Sequence, residues 1–356
     1  MIVAEVVQHL TPPPFDRALG RQARGTLHSM FLDHVRNDGC DVAGPVGITS
    51  GMDDSVVLIG AAISALKPSI RAGRVPDHGT AIVQPCVRTH NARRLLEDGF
   101  TFEWGGYFTN LAILAPYGRR LRFLEIAVSF LLQRLGLSEA DVRLRAHSED
   151  DDLVILCRGT GLSVEIDTLQ PVAYRHTIGM PTITGRNANF ALRRGGSDRF
   201  DDVGNMIIFT DHARDWSFVE IGFGDTTILR AQHGLDHVLD CFPFSATPFV
   251  DHDIRRVLED TALTTLALWR EGLRPSNVDP GGKLLGKYVR AFHHAANRAG
   301  LDRAAVGDYL TAYEEADYGP GVSYAYNLLN YIDNQRTRID ATLDSLAAPT
   351  FHAGCG

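Results

Sequence analysis

Residues 81–108 alternate between two faces along two runs, which are separated by a short basic segment. Side chains of a β-strand point alternately to the two faces of a sheet, so such runs are typical of paired strands. The pattern therefore predicts a β-hairpin with a polar tip. The first arm carries Gln84, Cys86 and Arg88 on one face, the tip carries His90, Asn91, Arg93 and Arg94, and the second arm carries Phe100, Phe102 and Trp104 opposite Thr101 and Glu103.

Longer stretches repeat apolar residues at intervals of three or four, the spacing of helices with one buried face. Shorter apolar runs that are bounded by turn residues predict strands. Helices are predicted over residues 24–37, 121–135, 251–273, 282–298, 304–316 and 323–346, and strands over residues 53–59, 142–146, 153–157, 217–221 and 226–230.

The composition indicates a chain that can bury a sizeable core, with 356 residues of which 44% are hydrophobic. The formal net charge is −8, so RNA binding needs a local basic patch, and DNA is not an expected partner. No apolar stretch approaches the about 18 residues of a membrane span. The five cysteines are scattered and form no CxxC pair. We expect a cytoplasmic protein with no membrane partner and no metal site.

Two residues at the ends of the predicted hairpin arms have the chemistry of a site for a phosphate and an amine. Arg88 ends the first arm, and its planar guanidinium can donate to two phosphate oxygens at once. Glu103 lies on the second arm, and its carboxylate can accept from an amine. The alternative interpretation is a surface hairpin on which these two residues form an ion pair.

The hairpin resembles motif 2 of class II aminoacyl-tRNA synthetases, and most of all that of alanyl-tRNA synthetase. In that family an R-C-V-R strand, an N-D-x-E-N-V-G-like loop and an F-F-E-M strand bracket ATP. The resemblance implies that Arg88 holds the α-phosphate of ATP and of an adenylate, with Phe102 and Glu103 in the same site. The corresponding runs are Pro85-Cys86-Val87-Arg88, Leu95-Leu96-Glu97-Asp98-Gly99 and Thr101-Phe102-Glu103-Trp104.

Residues 226–239 resemble motif 3 of the same family, whose alanyl form is V-D-T-G-M-G-L-E-R-I, a strand, a glycine and a helix. This alignment implies that Gly234, Asp236 and His237 contribute to ATP binding. It puts His237 at the position of the arginine that clamps the γ-phosphate, and Arg230 at the position of the aspartate that holds the amine of the substrate. The alternative is that the alignment is displaced by a residue or two.

Further residues are candidates for binding the substrate. The run Glu220-Ile221-Gly222-Phe223 resembles the family's E-I-W-N, without its tryptophan and asparagine. In a loop where the family carries cysteines, Arg193 and Arg194 could instead meet a phosphate or a carboxylate. The alternative for this loop is a mobile surface segment.

The chain after residue 270 resembles the start of the alanyl tRNA-recognition domain. The run from Glu271 to Asn277 is similar to its D-G-x-x-P-S-N turn, and the helix over residues 282–298 follows. On that helix basic residues recur every three or four positions and line one face, which suits a phosphate backbone. A solvated polar face is the alternative. The residues expected to bind tRNA are Asn277, Lys283, Lys287 and Arg290.

The resemblance implies an α+β fold, a class II synthetase-like antiparallel sheet flanked by helices and followed by an α-helical domain. We predict a catalytic domain over residues 1–245, a tRNA-recognition-like domain over residues 246–348 and a flexible tail over residues 349–356. Residues 53–59 resemble the family's D-P-T-L-L-F strand, a region that borders dimer interfaces in class II enzymes, which leaves a homodimer open. We expect a stand-alone paralogue without the family's editing domain.

Three functions follow from the residues and the resemblance. The first is an enzyme that activates an amino or related carboxylic acid with ATP and Mg²⁺, or passes an aminoacyl group to the tRNA acceptor end or a small acceptor. The second is a catalytically decayed paralogue that binds tRNA or a partner protein as a regulatory subunit. The third is unrelated chemistry on an acidic substrate through Arg230, Arg193 and Arg194.

Overall fold

The computed structural model of the protein describes residues 15–97, 99–195, 197–244 and 251–347. Within these ranges, no helix is both long and apolar enough to cross a membrane. The predicted tail, residues 349–356, lies outside the described residues.

The chain divides into two compact units, and both are built from several separate segments. The first unit contains Met1–Pro45, Leu66–Gln84 and Thr109–Cys241. The second contains Val46–Ala65, Pro85–Phe108 and Phe242–Gly356. The predicted division at residue 245 concerns functional domains, which compactness alone does not test, and it stays a prediction.

A mostly antiparallel sheet forms the centre of the first unit. Among the described residues it has nine strands, in the order β1-β2-β3-β9-β8-β7-β4-β5, with β6 paired to β7. β1 pairs with β2 in parallel, and so does β4 with β5. The strands are β1 (Asp41–Val42), β2 (Thr80–Val87), β3 (Tyr107–Pro116), β4 (Val142–His147), β5 (Ser163–Asp167), β6 (Arg175–Thr177), β7 (Ile183–Arg193), β8 (Phe200–Asp211) and β9 (Trp216–Gly224).

One face of this sheet packs on helices and forms an apolar core. Phe223 on β9 contacts Phe190 on β7 and Phe130, with ring centroids 4.9 and 6.1 Å apart. Phe31 on the first helix packs edge-on against Phe130. The helices outside the C-terminal part of the chain are α1 (Gly20–Asn37), α2 (Ala62–Arg71), α3 (Arg120–Ser129), α4 (Asp151–Arg158) and α5 (Asp225–His233).

Four helices dominate the second unit, as the helical spacing predicts. Tyr288, Val289 and Phe292 are buried, which is the inward face expected of the helix at 282–298. Asp251 and Asp279 cap two of these helices by accepting hydrogen bonds from N–H groups of the first turn. The helices are α6 (His252–Arg270), α7 (Pro280–Arg298), α8 (Arg303–Tyr318) and α9 (Tyr324–Ala347).

The predicted fold class is confirmed, since a mostly antiparallel sheet with helices precedes a helical C-terminal part. Three of the predicted strands are wrong. Residues 53–59 form turns, with Val56 and Val57 well exposed. Residues 153–157 lie in α4, and residues 226–230 lie in α5. Both runs are only five residues long, and a run this short has no periodicity that separates a strand from a buried helix.

The second arm of the predicted hairpin is also misplaced. Its strand, β3, begins at Tyr107 rather than near Phe100. Phe100 is instead buried in a cluster with Ala92, Leu95 and Tyr288, so its side chain packs against α7. The burial of Phe100 against the helical unit therefore outweighs the alternation of residues 100–104.

Candidate functional site

Arg88 follows directly after β2, and its backbone N–H donates a 2.7 Å hydrogen bond to the carbonyl of Gly106. Its guanidinium is partly buried and lies over the rings of Phe108 and Trp104, 4.3 and 5.7 Å from their centroids. In the described part of the chain, no carboxylate pairs with it. Burial lowers the pKa of Arg88, since the charge loses water without gaining a counter-ion. The predicted ion pair with Glu103 is therefore not present.

The backbone around Arg88 is held by two residues of the helices. The hydroxyl of Tyr288 donates to the carbonyl of Arg88, at 3.2 Å. The N–H of Gly106 donates to Oδ1 of Asp260, at 2.5 Å. A side chain at Gly106 would meet Thr264 Oγ1 at 2.6 Å, so glycine permits this close approach. Arg88 thus lies on a backbone with a fixed position relative to α6 and α7.

The other two predicted ATP-site residues of the hairpin lie in different surroundings. Phe102 is half-buried and stacks on Phe100, with centroids 5.6 Å apart. Glu103 is exposed, in the irregular segment that precedes β3. Both roles stay predictions.

In the first unit, the sheet face opposite the helices is polar along several neighbouring strands. Strand alternation and register put Glu220 and Gly222 of β9 on this face, with Asn205 of β8 paired to Gly222 and Asn189 of β7 paired to Asn205. Phe209 and Phe218 stack at one end, 5.2 Å apart. Glu220 is buried, and a side chain at position 222 would lie 3.2 Å from Nδ2 of Asn110, so glycine there makes room for that amide. A buried carboxylate beside a glycine is suited to hold the ammonium of a small ligand.

A chain of hydrogen bonds extends this polar face. His176 Nε2 lies 2.9 Å from Asn187 Oδ1, Asn187 donates to Asn189, and Asn189 Nδ2 donates to Asp202 Oδ2 at 3.0 Å. Arg145 donates to the other oxygen of Asp202, at 2.6 Å. Burial raises the pKa of Asp202, against the opposing charge of Arg145. This face was not predicted, although the alternating asparagines of β7 are a signal of it in the sequence.

The strand–glycine–helix element of the first unit is β9, Gly224 and α5, upstream of its predicted position. Asp225 begins α5 and is buried, and it accepts hydrogen bonds from the N–H groups of Thr109 and Thr226. His28 Nε2 lies 2.9 Å from its second oxygen. Burial acts to raise the pKa of Asp225, but these hydrogen bonds and the charges of His28 and Arg24 outweigh it and hold the pKa below its usual value.

Three residues that the predicted motif 3 singled out lie after α5, while Arg230 lies within it. Gly234 ends the helix in the left-handed conformation, with φ of +64°. His237 is buried, and its Nδ1 accepts a 3.1 Å hydrogen bond from the N–H of Leu239. Asp236 is highly exposed. A helix therefore precedes Gly234 where the alignment needs a strand.

The three arginines proposed for an acidic substrate are used within the first unit. Arg193 donates to Asp141 and Asp198, at 3.0 and 2.8 Å. Arg194 donates to the carbonyl of Leu235. Arg230 is buried, 3.9 Å from Asp201. With these partners, the three arginines hold the fold rather than form an open anion site.

In the second unit, all four predicted tRNA-binding residues line one cleft. It has a volume of about 490 Å³ and lies between α7 and α9. Arg338 of α9 lines the opposite wall, and sequence spacing within α7 gives no indication of it. The predicted tRNA-binding residues that line the cleft are Asn277, Lys283, Lys287 and Arg290.

No family model matches the chain, and no curated protein matches it. Similar solved structures include a protein described as threonyl-tRNA synthetase from Aeropyrum pernix, at 10% identity and a TM-score of 0.41, covering 73% of this chain and 71% of that one. Another is the pyrrolysyl-tRNA synthetase PylSc from Desulfitobacterium hafniense, at 14% identity and a TM-score of 0.36, covering 60% of this chain and 69% of that one. A third is asparaginyl-tRNA synthetase from Pyrococcus horikoshii, at 14% identity and a TM-score of 0.40, covering 66% of this chain and 69% of that one. Alanyl specificity stays a prediction.

Proposed function

We propose that the chain is a class II synthetase-like enzyme that activates an amino acid or related carboxylic acid with ATP and passes the acyl group to a tRNA acceptor end or a small acceptor. The observation that carries this proposal is the state of Arg88. Its guanidinium is partly buried against two aromatic rings, and no carboxylate among the described residues neutralises it. A partly desolvated arginine of this kind is stabilised when a phosphate arrives.

Arg88 has a defined task in this reaction. An oxygen of the substrate carboxylate attacks the α-phosphorus of ATP, the bond to the bridging oxygen breaks, and pyrophosphate leaves with the bonding electrons. Negative charge grows on the α-phosphoryl oxygens in the transition state, where the guanidinium fork donates to them. Positioning and electrostatics supply the catalysis, and no covalent nucleophile is required. Phe102 and Glu103 are proposed to border the same nucleotide.

The described residues contain no group of three or more His, Cys, Asp or Glu that could hold a metal ion. No step of the proposed reaction is assigned to a metal ligand of this chain, and Mg²⁺ is expected to enter with the phosphates of ATP.

If motif 3 is aligned with β9 and α5 instead of with residues 226–239, the proposed roles at the amine subsite change. The alanyl form V-D-T-G-M-G-L-E-R-I then lies against the run from Val219 to Ile228, and its two glycines match Gly222 and Gly224. Glu220 takes the position of the aspartate that holds the amine, and Thr227 that of the arginine. We therefore propose Glu220 and Gly222 as the amine subsite, in place of Arg230.

The same register supports the second candidate function, a decayed paralogue that binds tRNA or a protein. The first turn of α5 carries Asp225, Thr226 and Thr227, so it offers no arginine to a γ-phosphate. A lost charge-assisted hydrogen bond costs about 1.5–3 kcal/mol, which lowers ATP affinity by about ten- to a hundredfold unless another cation substitutes.

ATP–pyrophosphate exchange separates the two functions. The purified chain is assayed with a panel of amino acids and related carboxylic acids, and the proposal predicts exchange with at least one of them. Exchange with a single acid also identifies the substrate. A folded chain that exchanges with no acid in the panel would leave the binding function as the better account, and tRNA binding would then be measured.

A further inference from the structure

The cleft between α7 and α9 is a defined concavity with walls from three segments. One wall is the face of α7 that carries Lys283, Lys287 and Arg290, and the opposite wall is the face of α9 that carries Arg338. The turn before α7 closes one end with Asn277. These elements all belong to the second unit, so the cleft is formed within one compact body.

The charges in this cleft are of one sign. Lys283, Lys287, Arg290 and Arg338 line it, and the lining contains neither Asp nor Glu. In the ranges that the structure describes, no carboxylate forms an ion pair with any of the four. By contrast, Arg336, on another face of α9, lies 3.8 Å from Asp333. Four uncompensated cations in one cleft repel one another, and a bound anion relieves that repulsion.

Arg290 is the most buried of the four cations, and the lack of a counter-charge is clearest there. Its Nε is buried and has no hydrogen-bond partner among the described residues. Burial lowers the pKa of Arg290, and the charge of Arg338 lowers it further, against an opposing effect of Tyr331. Gly286 lies beside the Arg290 guanidinium on the cleft floor, since a Cβ at position 286 would be 3.4 Å from it. A buried donor without an acceptor is costly, and an oxygen ligand would satisfy it.

We propose that this cleft binds a phosphate-bearing small molecule of about nucleotide size, with Arg290, Arg338 and the two lysines on its phosphate groups. The volume of 490 Å³ lies within the range of small-molecule sites, about 300–1,000 Å³. Asn277, Gln335 and Tyr331 supply amide and aromatic groups that can contact the remainder of the molecule. This site is separate from the adenylate chemistry proposed for Arg88.

A small ligand fits these observations better than a nucleic-acid duplex does. Duplex binding uses cations spread along an extended surface, because each contact neutralises a different phosphate of the backbone. Here the cations face each other across one cleft, in a chain whose formal net charge is −8. Binding of RNA in preference to small phosphates is the outcome that would replace this proposal.

Calorimetric titration of the full chain tests the proposal with AMP, inorganic pyrophosphate, adenosine and a 5′-phosphorylated RNA tetramer. AMP and pyrophosphate are expected to bind, and adenosine about tenfold or more weakly, since it lacks the phosphate. Arg338→Gln on one wall and Lys287→Gln on the other are each expected to weaken AMP binding about tenfold. Both side chains are exposed, so these variants should fold, which a thermal melt verifies.

Arg336→Gln is the matched control, since it removes an exposed arginine from the same helix outside the cleft. It should leave AMP binding within about twofold. The titrations are repeated with Arg88→Met, in which the effect of Arg338→Gln on AMP binding should persist, so failure of the adenylate proposal and failure of this one can be told apart. The proposal is overturned if no phosphate probe binds at millimolar concentration, if the cleft variants lose no more affinity than the control, or if the RNA tetramer binds far more tightly than AMP.

Discussion

The carboxylate of Asp260 accepts a hydrogen bond from the backbone N–H of Gly106, with 2.5 Å between the two atoms. The carbonyl of Gly106 accepts in turn from the N–H of Arg88. Asp260 thus connects α6 to the backbone that carries the proposed phosphate-binding arginine. Its own Oδ2 has no hydrogen-bond partner in the described part of the structure, and the residue is fully buried.

Asp260 is expected to make stability fall as pH rises. Burial raises the pKa of this carboxyl to about 7, against the opposing hydrogen bond from Gly106. Between about pH 4 and 7 the native state keeps a proton that the unfolded state has lost, so the free energy of unfolding falls with pH, by at most about 1.4 kcal/mol per unit. Asp260→Asn, which stays neutral, should match the native chain at pH 4.5 and exceed its stability by about 2–4 kcal/mol at pH 8.

Urea unfolding at the two pH values measures this difference. Asp344→Asn, on the exposed side of α9, is the matched control and should show a much smaller change between them. An Asp260→Asn chain that is equally or more destabilised at pH 8 than at pH 4.5 would contradict a protonated native carboxyl.

Asp225 is expected to make stability fall as pH decreases, the opposite of the effect of Asp260. Its pKa is held below the usual value by His28, Arg24 and two backbone N–H groups, despite its burial. Its contribution to stability is therefore present above the pKa of the unfolded chain and is lost as pH falls through the lower native value. Asp225→Asn should lower the free energy of unfolding by about 2–4 kcal/mol at pH 7.

A double-mutant cycle with His28→Gln tests whether His28 stabilises the Asp225 carboxylate. If the two side chains interact as the 2.9 Å distance indicates, Asp225→Asn should cost less in the His28→Gln background than in the native chain. If the changes in the free energy of unfolding simply add, the side chains of His28 and Asp225 do not interact in a way that stabilises the fold.

Glu220 is expected to select substrates that carry an amine. With an amino acid that supports exchange, Glu220→Gln should raise its KM about tenfold or more, since a charge-assisted hydrogen bond to the ammonium is lost. The deamino analogue, a carboxylic acid without the amine, should show an unchanged KM. Glu165→Gln, an exposed glutamate at the edge of the same sheet, is the control. Equal effects on both substrates would remove Glu220 from the amine subsite.

The sequence predicted the long helices and the fold class well, because many apolar residues at one spacing point to the same structure. Short runs were less informative. Leu153, Val154 and Cys157 are all buried, on a helix of eight residues that carries acidic residues in its first turn. Their apolar character predicted burial correctly, but the helix depends on what packs around it, which the sequence does not display.

Within the candidate site, Arg88 was a candidate from the sequence alone, and its role stays a prediction. Arg88 stands out at the end of a strand, and the structure leaves it without an acidic partner among the described residues. The asparagines of β7 signal a polar face in the sequence, but which residues of β8 and β9 join them depends on the register of the three strands, which the sequence does not show. Arg338 joins Arg290 only through the packing of α9 against α7, which spacing along one helix does not reveal.

The most direct test of the central claim is ATP–pyrophosphate exchange by Arg88→Met, with Arg94→Met as the matched control. Arg94 also lies over an aromatic ring, Phe100 at 4.5 Å, but it is exposed and paired with Glu97. Arg88→Met keeps apolar packing and removes a charge without an ion-pair partner, so its unfolding free energy should change by less than about 1 kcal/mol. Its exchange rate should fall about ten- to a hundredfold or more, while Arg94→Met stays near the native rate. Exchange that survives in a folded Arg88→Met chain would contradict the assignment of the α-phosphate to Arg88.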